Sequence, residues 1–117
     1  MDKQQFQDRT KKLAVRVVKM TEALPDTRAA DIIAKQIIRS STSVAANYRA
    51  ASRPKSVPDM INKLKIVEEE ADETRFWLEL LVETNLMTQA KLQDLLKETD
   101  EILAMTIASL KTLRNRK

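Results

Sequence analysis

The chain has 117 residues and a formal charge of +4, and it contains no glycine, cysteine or histidine. Without cysteine there is no disulfide, thiolate nucleophile or structural zinc site, and without histidine the usual general base and commonest metal ligand are missing. The lack of glycine, the residue most at ease at positive φ, argues against hairpin-rich β folds, phosphate-binding loops and dinucleotide-binding turns.

Ala, Leu, Lys, Glu, Arg and Met dominate, and all are good helix formers. The aromatic residues are Phe6, Tyr48, Phe76 and Trp77, too few for a platform that stacks RNA bases. No apolar run approaches the ~20 residues of a membrane span, and no signal peptide is visible at the start. The expected location is the cytoplasm, with no membrane partner.

The first helical segment is predicted over 8–24. Leu13, Val17, Met20 and Leu24 repeat at helical spacing, with Ala14 and Val18 widening the stripe. Pro25 ends it, and Asp26 or Thr27 caps the next helix. The second segment is predicted over 28–52, with Ala30, Ile33, Ile37, Ser41, Val44, Tyr48 and Ala51 on one face. Arg53-Pro54-Lys55 breaks it.

Ser56 is the expected N-cap of the third segment, 58–84, with Pro58 in the first turn and Asp59 favouring the helix dipole. Met60, Leu64, Val67, Ala71, Leu78 and Leu81 form its main core face. Thr88 caps the fourth segment, 89–113. There Leu92, Leu96, Thr99, Leu103, Thr106, Leu110 and Leu113 follow a four-three alternation that reads as a heptad seam. Four such helices with short connections imply a single all-α domain, an antiparallel up-down-up-down four-helix bundle.

Charge is unevenly spread. Arg9, Lys12, Arg16 and Lys19 share one stripe of the first helix, roughly opposite its apolar stripe. Antiparallel order gathers Arg9, Lys12, Arg49, Arg53, Lys55, Arg114 and Arg116 at one end, with Lys11, Lys63, Lys65, Lys111 and Lys117 beside them. A pole of this kind suits phosphates, whose binding is driven by counterion release.

The third helix is the acidic counterpart, with Glu68, Asp72, Glu79 and Glu83 on a solvated stripe. Glu70 and Glu73 instead share a side with Ile66, Trp77 and Leu80, a second apolar surface that predicts a subunit interface. On the second helix Gln36, Ser40, Ser43 and Asn47 form a stripe of small polar residues. Such a stripe lets another helix approach closely and fixes its register by hydrogen bonds. Its expected partners across a helix–helix contact are Glu70, Glu73 or Arg39.

An enzymatic reading finds little support. The pairs Glu69/Glu73 and Glu70/Glu73 lack the histidines of di-iron bundles. A nucleophilic Ser40 or Ser43 would have only Lys35, Lys63 or the glutamates of the third helix as base. No cofactor or metal is expected.

Two stretches, QIIRSSTSVAANYRAA at 36–51 and KLKIVEEEADETRFWLELL at 63–81, resemble a family of four-helix-bundle proteins. That family is known from open reading frames within intervening sequences of bacterial 23S ribosomal RNA genes. The opening, with Phe6, Asp8, Arg9 and Thr10 and then Leu24-Pro25, fits the same pattern, and the resemblance spans residues 6 to 86. It implies a left-handed bundle assembled as a ring, typically a homopentamer. A related group assists the reverse transcriptase of diversity-generating retroelements, where a basic pentamer binds RNA and its polymerase partner. Many members carry an acid at the place of Ala50 and a lysine at the place of Glu69. This chain departs at both, which leaves Glu70 and Glu73 to find other partners, Arg39 and Arg49 being nearest in type.

The functional expectation is a non-enzymatic homo-oligomer that binds RNA or DNA through its basic surface. The alternative is a homo-oligomeric scaffold or adaptor for a protein partner, without nucleic-acid binding.

Overall fold

A computed structural model describes residues 1–115 and contains four helices: α1 (Lys3–Thr21), α2 (Arg28–Ala51), α3 (Val57–Glu83) and α4 (Gln89–Asn115). Arg116 and Lys117 of the expected basic pole lie outside the described residues. The molecule measures 48 × 21 × 20 Å, and α3 and α4, with 27 residues each, run most of its length. Helices pack as neighbours in the order α1–α2–α3–α4–α1, and the diagonal pairs do not approach. Pairing across each seam is antiparallel: Phe6 stacks on Tyr48 with centroids 4.3 Å apart, Ser40 meets Thr74, and Arg75 pairs with Asp100. The expected all-α up-down-up-down bundle is the fold observed.

The chain marks its own boundaries. α1 begins five residues earlier than its apolar repeat suggests, because Asp2 and Gln5 form a reciprocal capping box. It also stops three residues earlier. Ala23 and Leu24 donate to carbonyls only three residues back, tightening the last turn before Pro25. Thr27, Ser56 and Thr88 each accept a first-turn N–H on their hydroxyl oxygen, at 3.2, 3.1 and 3.3 Å. α3 ends in a Schellman turn: Leu86 N–H donates to the Leu81 carbonyl and Asn85 N–H to that of Val82, both at 3.0 Å. Asn85 sits there at φ 61°. In a chain without glycine, asparagine takes the left-handed position it tolerates better than most residues.

The core is built from one stripe per helix. All seven residues expected on the α2 face are buried. On α1 the buried row is Phe6, Thr10, Leu13, Ala14 and Val17. Val18, expected to widen that stripe, is exposed, and Met20 and Leu24 are only half-buried. On α3 Ile61 replaces half-buried Met60.

The α4 seam is also shifted. Leu92, Leu95, Thr99, Ile102, Thr106, Leu110 and Leu113 are buried, while Leu96 and Leu103 pack half-exposed on its flank. The two fully buried threonines of α4 donate to carbonyls four residues back, each at 2.7 Å. Their hydroxyls therefore cost little in an apolar setting. No described helix is long and apolar enough to cross a membrane.

Candidate functional site

Antiparallel order brings four chain segments to one end, where Phe6, Tyr48, Met60 and Leu113 border a common groove. Segments 1–11, 44–67 and 104–115, which build this end, carry ten lysines and arginines against three carboxylates. The remaining described segments, 12–43 and 68–103, carry nine against fourteen. The bundle is therefore electrically polarised along its length.

The ion pairs sharpen that polarity. Arg9 is bound by Glu98 at 2.6 Å and Glu101 at 2.5 Å. Arg39 binds Glu70 at 3.0 Å and also Glu73, and Arg75 binds Glu79 and Asp100. Apart from Arg9, no cation of the basic end makes an ion pair among the described residues. Arg49, Arg53, Lys55 and Arg114 are exposed there.

The stripe expected opposite the apolar face of α1 does not lie there. Arg9 and Arg16 are half-buried on the α1–α4 seam, and only Lys12 and Lys19 are exposed. Hydrogen bonds donated to Glu98 raise the Arg9 guanidinium pKa, an effect that burial opposes and Glu101 reinforces. In return Arg9, by hydrogen bond, holds the Glu98 carboxyl below its ordinary range. Burial opposes this, while the charges of Arg9, Arg16 and Lys12 assist. Arg9 thus joins two helices and is already neutralised. Burial and the nearby Asp2 charge push the Tyr48 phenol up.

The polar stripe of α2 lies on α3. Thr74 Oγ1 is 2.8 Å from both Ser40 Oγ and the Glu70 carbonyl, and Ser40 is fully buried. Asn47 Nδ2 donates to the Ser43 carbonyl and hydroxyl, each at 2.9 Å. Arg39 Nε reaches Gln36 Oε1 at 3.5 Å. Trp77 donates from Nε1 to Glu73 at 3.5 Å. Across the seam the row therefore meets Thr74 rather than the side chains of Glu70 or Glu73, which pair with Arg39, while Ser43 and Asn47 bond within α2. Trp77 and Leu80 pack against the core, whereas Ile66 is 37% exposed and Phe76, which meets Trp77 edge-on, 52%.

Residues 2–108 match the family profile described as 23S rRNA-intervening sequence protein. The chain belongs to that family. It is similar, at 36% identity and a TM-score of 0.87, to a crystal structure of a protein of unknown function from the S23 ribosomal protein family of Bacteroides thetaiotaomicron; the match covers 95% of this chain and 99% of that one. No curated protein matches the sequence.

The buried polar seam coincides with the two stretches through which the family resemblance is read. Ser40, Ser43 and Asn47 come from the first, Glu70, Glu73, Thr74 and Trp77 from the second. Among the described residues no group of three or more metal-ligating side chains stands together; Glu70 and Glu73 are instead drawn to Arg39. Lys11, expected at the basic end but on no particular face, is the residue whose surroundings the sequence did not specify. It faces α2 rather than α4, in a row with Gln4, Gln7 and Ala14 spaced three-four-three. That spacing was the available signal.

Proposed function

We propose that this chain is a non-enzymatic, oligomeric nucleic-acid-binding protein that holds RNA or DNA phosphates on its positive end. The observation that carries this reading is the uneven charge: ten lysines and arginines against three carboxylates at this end, where Arg49, Arg53, Lys55 and Arg114 are exposed and make no ion pair among the described residues. Cations without a protein partner can neutralise phosphates and displace the counterions condensed on the nucleic acid, and that release drives binding. The exposed Ile66 and Phe76 on the outer side of α3 support self-association, which multiplies weak phosphate contacts by avidity.

A titration of labelled RNA and DNA duplexes at several salt concentrations tests the reading. Affinity is expected to fall steeply with salt, with a slope of roughly 0.9 per phosphate neutralised. Combined Arg53→Glu, Lys55→Glu and Arg114→Glu should abolish most binding. Combined Lys19→Glu, Lys35→Glu and Lys91→Glu makes the same change in net charge at other places and should cost far less. Absence of binding at low salt, or equal loss in both variants, contradicts the reading and favours an adaptor for a protein partner.

A further inference from the structure

Between α1 and α2, on the positive half of the molecule, lies an open groove of ≈ 530 Å³. Buried Ala14 and half-buried Ala45 line its floor and exposed Ala46 borders it, and all three keep side-chain bulk out of the space. Lys11 stands on the α1 wall and Arg49 on the α2 wall, and neither makes an ion pair among the described residues.

Polar groups complete the walls. Gln7 accepts from Ser52 Oγ at 3.3 Å, and its amide nitrogen donates to no protein acceptor among the described residues. Asp8 is the one acid bordering the groove, and Gln4 donates to it at 2.9 Å. No aromatic ring lines the groove.

The geometry points to this groove as the track for one unpaired strand of nucleic acid, with Lys11 and Arg49 holding its phosphates from the two sides. The inference rests on the phosphate-binding reading above and deepens it by naming the strand state and the track. A groove between two helices can take a single strand, whereas a duplex presents its phosphates on the outside of a wide cylinder that can only lie across the helices. The alanine floor lets the sugar-phosphate chain sink between cations that approach from opposite walls. Lacking rings for stacking, the groove grips phosphate and sugar, so binding is indifferent to base sequence.

The test uses the full chain, with an unstructured oligouridine of about 12 nucleotides and a duplex of the same length. Ala46 is exposed, so Ala46→Leu fills the groove without touching the core or the charge. It should weaken oligouridine binding by about tenfold, the scale on which a filled pocket discriminates, leaving its salt slope and the duplex affinity unchanged. Lys11→Ala and Arg49→Ala should each lower the single-strand slope by roughly 0.7. Asp8→Asn should tighten binding.

Oligouridine binding by Ala46→Leu at wild-type strength overturns the groove while leaving the positive end standing as a phosphate surface. If wild-type protein binds neither probe at low salt, both inferences fall. An oligoglutamate of equal charge that competes as well as oligouridine assigns the groove to an acidic peptide and overturns the strand.

Discussion

The α2–α3 and α1–α4 seams both join helices through arginine–glutamate pairs, yet they are built differently. At α2–α3 the helices approach closely over small residues, with Ser40 and Thr74 fully buried against each other. Arg39 then binds Glu70 and Glu73 at the outer edge of a contact that packing has already made. The α1–α4 seam is the loosest in the bundle. There Arg9 spans the gap, gripping Glu98 and Glu101 and laying Nη1 3.7 Å from the Met105 sulfur. Where side chains are small, packing sets the distance and charge trims the rim; where they are long, charge does the joining. Each seam therefore has its own weak point.

The largest effect is expected at Ser40. Ser40→Leu inserts bulk into a fully buried contact and should cost about 3 kcal/mol in urea unfolding, near the upper end for overpacking. Arg9→Met, which keeps the aliphatic stem and removes the charge, should cost about 1 kcal/mol, because the pair is partly solvated. Arg39→Ala should cost a few tenths of a kcal/mol, since its side chain is 48% exposed. If Arg39→Ala proves as costly as Ser40→Leu, the close seam is held by charge and the contrast collapses.

The pH dependence separates the seams further. The Glu98 carboxyl is held below its ordinary value of 4.5, so the unfolded chain takes up this proton first as pH falls. Its contribution is complete above that ordinary value and is lost as pH drops through the lower folded value. Glu98→Gln should flatten the acid limb of a stability-against-pH curve. An unchanged limb would mean that Arg9 and Glu98 do not interact in solution.

Much of this was legible in the residues, for reasons that differ by helix. α2 also carries doublets, Ile32-Ile33 and Ile37-Ile38, but Ala30, Ser41, Val44, Tyr48 and Ala51 continue the row of Ile33 and Ile37 alone, so one face stands out as core. α4 offers the doublets Leu95-Leu96 and Ile102-Leu103, and periodicity alone cannot choose within a doublet. The neighbouring α3 makes that choice, burying Leu95 and Ile102. The error on α1 has a similar origin. Arg9 and Arg16 lie roughly a quarter-turn from the centre of the buried row, at its flank, and grouping them with Lys12 and Lys19 sends them toward solvent on paper. In the folded chain they flank α4. The positive end was foreseeable from topology and charge, whereas the neutralisation of Arg9 and the placing of Lys11 opposite α2 depend on which helices lie adjacent.

The central claim, that nucleic acid is held at the positive end, is tested most directly by a residue-resolved map of backbone amide shifts in the full chain titrated with oligouridine. Shifts are expected to concentrate in residues 4–14, 42–55 and 111–115, with the far end around 22–31 and 79–94 unmoved. Shifts centred on that far end, or along the outer face of α3, would contradict it.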